Sequence, residues 1–219
     1  MPRAIPNQRP QSADWFRDPG WDLATRDQFE ERLNRARIGN RAQYLRIKAL
    51  ALRDAGELRG AKELLNRVVS DYPESMDCGF CLELLGDIGR EEGSSETAER
   101  NYRNVIRRWP DLNGTSGMVE VSLAEVLTES AGLERHEEAL RLLDSALKRG
   151  RMMNSDLFRW NIALARVAEQ LGDAETVSRA ARTALSLTKV GPQFPRHPTV
   201  GLARPDAATL AWLERAAAG

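Results

Sequence analysis

Cysteine, histidine and lysine are scarce in this 219-residue sequence, and neither sign of charge is in excess. The two cysteines, Cys78 and Cys81, fall in one short segment, which excludes a disulfide framework joining distant parts of the chain. Lysine plus arginine equals aspartate plus glutamate at 32 each, so there is no broad phosphate footprint, and neither nucleic acid nor a membrane surface is the expected partner. No apolar run approaches the roughly 20 residues that cross a bilayer. The opening Met1-Pro-Arg-Ala-Ile-Pro-Asn-Gln-Arg-Pro10 lacks the apolar stretch of a secretory signal, so the expected location is the cytoplasm. Only Lys48, Lys62, Lys148 and Lys189 are lysines, against 28 arginines. Guanidinium forks suit interfaces with carboxylates and aromatics; codon usage in a GC-rich genome would give the same bias.

Catalytic signatures are missing too. There is no phosphate-cradling glycine loop, no nucleophile elbow and no carboxylate pair that can be placed in a pocket, so no enzyme is expected and no cofactor is implied. Cys78-Gly79-Phe80-Cys81 is a CxxC, and near a helix start the aligned N–H groups would favour a thiolate. A redox site of the thioredoxin type needs a preceding strand, and a structural zinc needs two further ligands where only His136 and His197 exist. Two semi-buried thiols are therefore expected, with a thiol switch or a metal-bridged dimer as the lesser alternative. His136-Glu137-Glu138 lacks the second histidine of a zinc helix and reads as an exposed first turn. Pro192, Pro195 and Pro198 are spaced like a polyproline ligand, although Phe194 could instead anchor a linker.

What the sequence does have is a repeat. Shifted by 37 residues, Gly56, Ala61, Leu65, Val68 and Pro73 fall on Gly93, Ala98, Tyr102, Val105 and Pro110. Each block follows an apolar helical stretch, which means stacked helical hairpins that cannot bury their apolar faces alone. The expected order begins with a Pro-rich arm over 1–20, whose Trp15 and Phe16 dock, with Trp21, on the first helices. A helix over 22–38 follows, capped by Thr25 and ended by Gly39-Asn40. Hairpins come next: 41–55 with 58–71, one turning at Gly93 with its second helix over 95–109, 118–131 with 135–149, and 155–189 turning at Gly172-Asp173. The array as a whole spans 21–189. Residues 190–205 read as a Pro-rich linker, and Asp206 caps a closing helix within 206–219. Gly86 and Ala98 would let paired helices approach closely. The count is ten helices and no strand.

These residues resemble the tetratricopeptide repeat (TPR) family over roughly 41–189. Leu85-Gly86, Gly93, Ala98, Tyr102 and Pro110 fit its pattern closely, Ala49 stands where the first hairpin would carry glycine, and Gly132, Ala139, Leu143 and Ala146, then Ala165, Gly172, Ala181 and Ala184, fit loosely. The resemblance implies an all-α, right-handed α-solenoid of about four hairpins with an N-terminal helix and a C-terminal capping helix. It implies a concave groove lined by the first helix of each hairpin, where a protein or peptide partner binds. Carried over, the groove residues are Gln43, Arg46, Leu50 and Arg53; Phe80, Glu83, Asp87 and Arg90; Val119, Ser122, Val126 and Glu129; and Arg159, Ile162, Arg166 and Glu169. Phe80, Leu50 and Ile162 would serve as apolar anchors among mixed charges. Some relatives clamp a chaperone's terminal carboxylate with lysine and asparagine; here Leu50 follows Arg46 where asparagine is needed, so that clamp is not expected. The leading reading is a bacterial-type cytosolic adaptor. The alternative is a regulatory or assembly subunit acting through homo-oligomerisation or docking on an enzyme.

Overall fold

A glycine with positive φ sits between the two helices of each of the four hairpins: Gly56 at 81°, Gly93 at 75°, Gly132 at 127° and Gly172 at 72°. Only glycine adopts that backbone freely, and it lets the chain reverse within three or four residues. The computed structural model describes residues 14–150 and 152–219, and its described residues form ten α-helices and no strand. Helices α2 (Ile38–Asp54) and α3 (Leu58–Asp71) make the first hairpin, α4 (Met76–Glu91) and α5 (Ser95–Arg108) the second. The third is α6 (Val119–Thr128) with α7 (Leu133–Arg149), and the fourth α8 (Asn154–Gln170) with α9 (Ala174–Leu187). Helix α1 (Leu23–Arg35) precedes them, and α10 (Ala207–Ala218) packs on α9 at the far end. Each second helix also packs on the next first helix, α3 on α4, α5 on α6 and α7 on α8, so the chain is a solenoid.

The core is serial. One apolar cluster joins α1 to α4, a second joins α4 to α8, and a third joins α8 to α10. Helix α4 belongs to two of them, with Leu82 in one and Leu84, Leu85 and Ile88 in the other, and is buried on nearly every side. Within the second hairpin the small residue admits an aromatic. A Cβ on Gly86 would lie 2.4 Å from the ring of Tyr102, which is fully buried and donates its hydroxyl to Asp87 Oδ1 at 2.7 Å. Gly86 therefore makes room for Tyr102 itself rather than simply drawing two backbones together.

Several boundaries differ from the expectation, each for a local reason. Asp22, not Thr25, caps α1, accepting from the Thr25 N–H at 2.9 Å. The helix ends at Arg35 because Arg41 reaches back to the carbonyls of Asn34 and Ala36 and satisfies its terminus. Gly39 and Asn40 then fall in the first turn of α2 instead of separating the helices. His136 is buried rather than exposed: α7 starts without a side-chain cap, and the imidazole Nε2 donates to the Ser130 carbonyl across the turn at 2.9 Å.

The expected Pro-rich arm over 1–20 is described from Asp14 onward; residues 1–13 lie outside the described residues. Its aromatic part docks as anticipated. Phe16 stacks on Tyr44, Trp15 meets Phe29 and Tyr44, and Trp21 meets Phe29 and fills the space left by Gly60. Lys48 of α2, only 1% exposed, donates to the carbonyls of Asp18 and Gly20, the latter at 2.9 Å, and lies over the rings of Trp21 and Phe29. At the other end the 190–205 segment is more than a spacer. Gln193 Oε1 and the Gly201 carbonyl accept the Asn154 and Ser155 N–H groups at the uncapped start of α8, while Phe194 stays largely exposed. Asp206 caps α10 as expected, and Ser178 and Arg182 of α9 donate to the Ala217 carbonyl near its end.

Gly86→Ala tests the fit of Tyr102. Alanine gains about 1 kcal/mol of helix propensity, but forcing a Cβ against an immovable ring costs about 1–3 kcal/mol. Urea unfolding is expected to show a net loss, and Gly86→Ala combined with Tyr102→Leu is expected to recover part of it.

Candidate partner-binding face

The first helices α2, α4, α6 and α8 share a face that carries three cavities. One of about 750 Å³ is bounded by Gln43, Arg46, Leu50 and Asp54 of α2 and by Arg17 and Pro19 of the arm. The next, about 620 Å³, lies among Arg53, Asp87, Arg90, Glu129 and Arg159. The last, about 410 Å³, is lined by Arg90, Glu125, Glu129, Ile162, Arg166 and Glu169. Arg90 and Glu129 border both of the latter, so the two cavities adjoin.

Most of the expected groove residues are on this face, yet their charges are already engaged with one another. Arg46 Nε donates to Asp77 Oδ1 at 2.6 Å and its guanidinium covers the Phe80 ring at 4.9 Å. Arg53 pairs with Glu91 and lies 3.8 Å from Asp87. Glu125 is held between Arg90 and Arg159, and Arg159 also donates to Ser122 Oγ at 2.8 Å. Burial works to raise the Glu125 carboxyl, but the hydrogen bond and charge of Arg159, with Arg90 behind it, hold it below the ordinary carboxylate value. Gln43 is exposed, Leu50, Phe80 and Ile162 are half-buried, and Glu129, Arg166 and Glu169 remain exposed.

Four expected groove residues are not surface groups. Glu83 is buried because the 111–117 loop folds over α4, and its carboxylate accepts from the Ser116 N–H at 2.8 Å and from the Ser116 hydroxyl. Burial pushes that carboxyl up, against the two Ser116 bonds. Ser122 is 1% exposed, since its hydroxyl is consumed by Arg159. Val119 and Val126 belong to the central core, because α6 is short and lies between α4 and α8 with little free face. Glu125 was missed although it is the point where three helices meet. Its signal was the offset: Arg90 and Arg159 lie 35 and 34 residues from it, near one repeat length.

The same offset governs the other face. Arg67 of α3 donates to Glu30 of α1 at 37 residues, Arg26 returns the favour to Glu63 at 37, Arg103 of α5 to Glu138 of α7 at 35, and Arg135 of α7 to Glu99 at 36. First helices are thus tied to first helices and second to second. Helix α1 thus pairs in the manner of a second helix.

Cys78 and Cys81 are both fully buried and free, and they point into different core clusters, one on each side of α4. Burial pushes both thiols up, Cys81 further than Cys78, and Arg108 near Cys78 offsets only part of it. Low exposure and a disfavoured thiolate make neither a ready nucleophile, and no group of three or more His, Cys, Asp or Glu side chains among the described residues is arranged for a metal.

Comparison with known proteins adds the fold. No family model matches the chain, and no curated protein matches it. Among solved structures, MamA of MSR-1 superposes with a TM-score of 0.51 at 20% identity, covering 79% of this chain and 94% of that one. MamA of AMB-1 gives a TM-score of 0.52 at 20% identity, over 80% of this chain and 90% of that one. At such identity the likeness concerns architecture: the chain has the TPR-like helical solenoid fold of MamA. No helix among the described residues is long and apolar enough to cross a membrane.

Two outcomes check this account. The folded carboxyls of Glu99, Glu125 and Glu138 lie below their ordinary value of 4.5, so their contribution to stability is complete above that pH and is lost as pH falls beneath it. The urea midpoint is expected to drop over about pH 5 to 3, and Arg103→Gln, which unpairs Glu138 and leaves Glu99 with Arg135 alone, is expected to flatten part of that drop. Separately, Ellman's reagent is expected to find no reactive thiol in the native protein and two after unfolding. Rapid labelling of the folded chain would contradict the buried placement.

Proposed function

We propose that this protein is a protein-interaction module, an adaptor that binds a peptide or protein segment along the face shared by α2, α4, α6 and α8. The observation that supports it is the alignment of three cavities on that face, fed by all four hairpins and floored by half-buried Leu50 and Ile162 among charged walls. The wall charges are fixed before any ligand arrives: Arg46, Arg53, Arg90 and Arg159 are held by carboxylates from neighbouring helices. A surface ordered in advance loses little conformational entropy on binding, which favours recognition by a rigid template. Chemistry is not part of this reading. The fold is one of interaction scaffolds, and Arg46, Arg53, Arg90 and Arg159 are occupied in holding helices together.

Reversing Arg46 or Arg90 would break the helix-to-helix pairing as well as the face, so the apolar floor is the cleaner target. Leu50→Glu with Ile162→Glu is expected to abolish capture of partners from a native lysate while helicity is retained. Arg100→Glu with Arg141→Glu, on exposed positions of second helices, is expected to leave capture intact. Undiminished capture by the Leu50/Ile162 variant would exclude this face.

A further inference from the structure

Among the arginines of the first-helix face, Arg166 stands apart. Arg46, Arg53, Arg90 and Arg159 each have a carboxylate within 4 Å, whereas Arg166 has neither an ion pair nor a hydrogen bond among the described residues. It is not loose. Its guanidinium lies over the indole of Trp212 from α10, 4.9 Å from the ring centroid, so the capping helix holds the side chain by one side. With no acceptor of its own, the guanidinium keeps its N–H donors for a carboxylate, which it can receive in bidentate geometry. Arg166 lines the 410 Å³ cavity together with half-buried Ile162, and that volume lies in the range of small ligand pockets.

The charges around this cavity set the chemistry of its occupant. Two arginines, Arg90 and Arg166, line it with three carboxylates, Glu125, Glu129 and Glu169, and Arg159, bonded to Glu125 from the adjoining cavity, brings the charges level. The balance is uneven locally. Glu125 is shared by Arg90 and Arg159, Glu129 has only a 3.7 Å contact with Arg90, and Glu169 has no ion pair. One cation and two carboxylates are therefore left for a ligand. A dianionic phosphate would face Glu129 and Glu169 as well as Arg166, and would be disfavoured. A single carboxylate accompanied by a base, with an apolar group between them over Ile162, matches every free group. The cavity also adjoins its neighbour at Arg90 and Glu129, which suits a chain running on along the face more than a chain end.

From this geometry we infer that the Arg166–Trp212 cavity is a specificity subsite for the side-chain carboxylate of an internal aspartate or glutamate in an extended peptide, with a lysine or arginine of the same peptide set against Glu129 and Glu169. The inference rests on the first-helix face being the binding face, and it names which peptides that face selects. Trp212 acts as a positioning residue, holding the guanidinium at the cavity where the incoming carboxylate meets it.

The test is selection of end-blocked twelve-residue peptides from a random display library on the full chain, followed by synthesis of the enriched sequences. Enrichment of an acid and a base flanking an apolar residue is expected. Replacing the acid of such a peptide by its amide is expected to weaken binding to the native protein about tenfold and to leave binding to Arg166→Gln unchanged. An amide swap that costs as much on Arg166→Gln as on the native protein overturns the subsite. So does a selected set without acids, or one in which phosphoserine outcompetes glutamate. If those peptides still lose binding to Leu50→Glu with Ile162→Glu, the face stands and only the subsite fails. Peptides indifferent to that variant, or no selectable peptide at all, would remove both.

Discussion

No hairpin of this chain can close over its own apolar surface, and that constraint organises the rest. Helix α4 shows it most directly, with residues from Cys78 to Gly89 buried on almost all sides and two core clusters claiming opposite flanks of one helix. Burial of about 25 cal/mol per Å² of apolar surface rewards each added neighbour, and stacking continues until a helix with a polar outer side ends it. The two ends meet this demand differently. At one, α1 and the aromatic arm cover the first hairpin, pinned by Lys48; at the other, α10 covers α9 and presents Leu213 inward.

Apolar stacking sets no azimuth by itself, and the arginines supply one. Pairs at separations of 34 to 38 residues link like helix to like helix on both faces of the stack. Individually such half-exposed pairs are worth about 0–1 kcal/mol, so their value lies in geometry and in numbers. Guanidinium groups serve better than ammonium here because one fork bridges two acceptors, as Arg103 does between Glu99 and Glu138. The arginine bias of the sequence therefore has a structural use, whatever its origin in codon usage.

The hairpins, their turns and the closing helix were legible because helical periodicity and turn glycines are local signals. Tyr102, Ala98 and Gly86 could be placed in the core from spacing alone, and the ten helices follow. What spacing could not show was where irregular segments return. The 111–117 loop buries Glu83, the arm carbonyls of Asp18 and Gly20 draw Lys48 inward, and the Ser130 carbonyl takes up His136. In each case the partner is a loop group with no periodicity. The groove assignments failed where α6 is short and covered, at Ser122, Val119 and Val126, and held a place on the shared face where helices were long enough to offer one, as at Arg53, Asp87 and Arg166. Glu125 and the other offset pairs were present in the sequence all along, visible only when opposite charges are compared at the repeat distance.

One small contact recurs at the joints. Arg108, last residue of α5, donates to the Pro73 carbonyl that closes the first hairpin, and Arg149, last of α7, donates to the Pro110 carbonyl that closes the second. The separations, 35 and 39 residues, differ because the unit ending at Arg149 is longer, yet both side chains land on the same atom of the preceding unit. Lengthening inside a unit is thus absorbed by its loops while the joint keeps its register. Insertions and deletions in these loops should therefore leave the superhelical pitch nearly untouched.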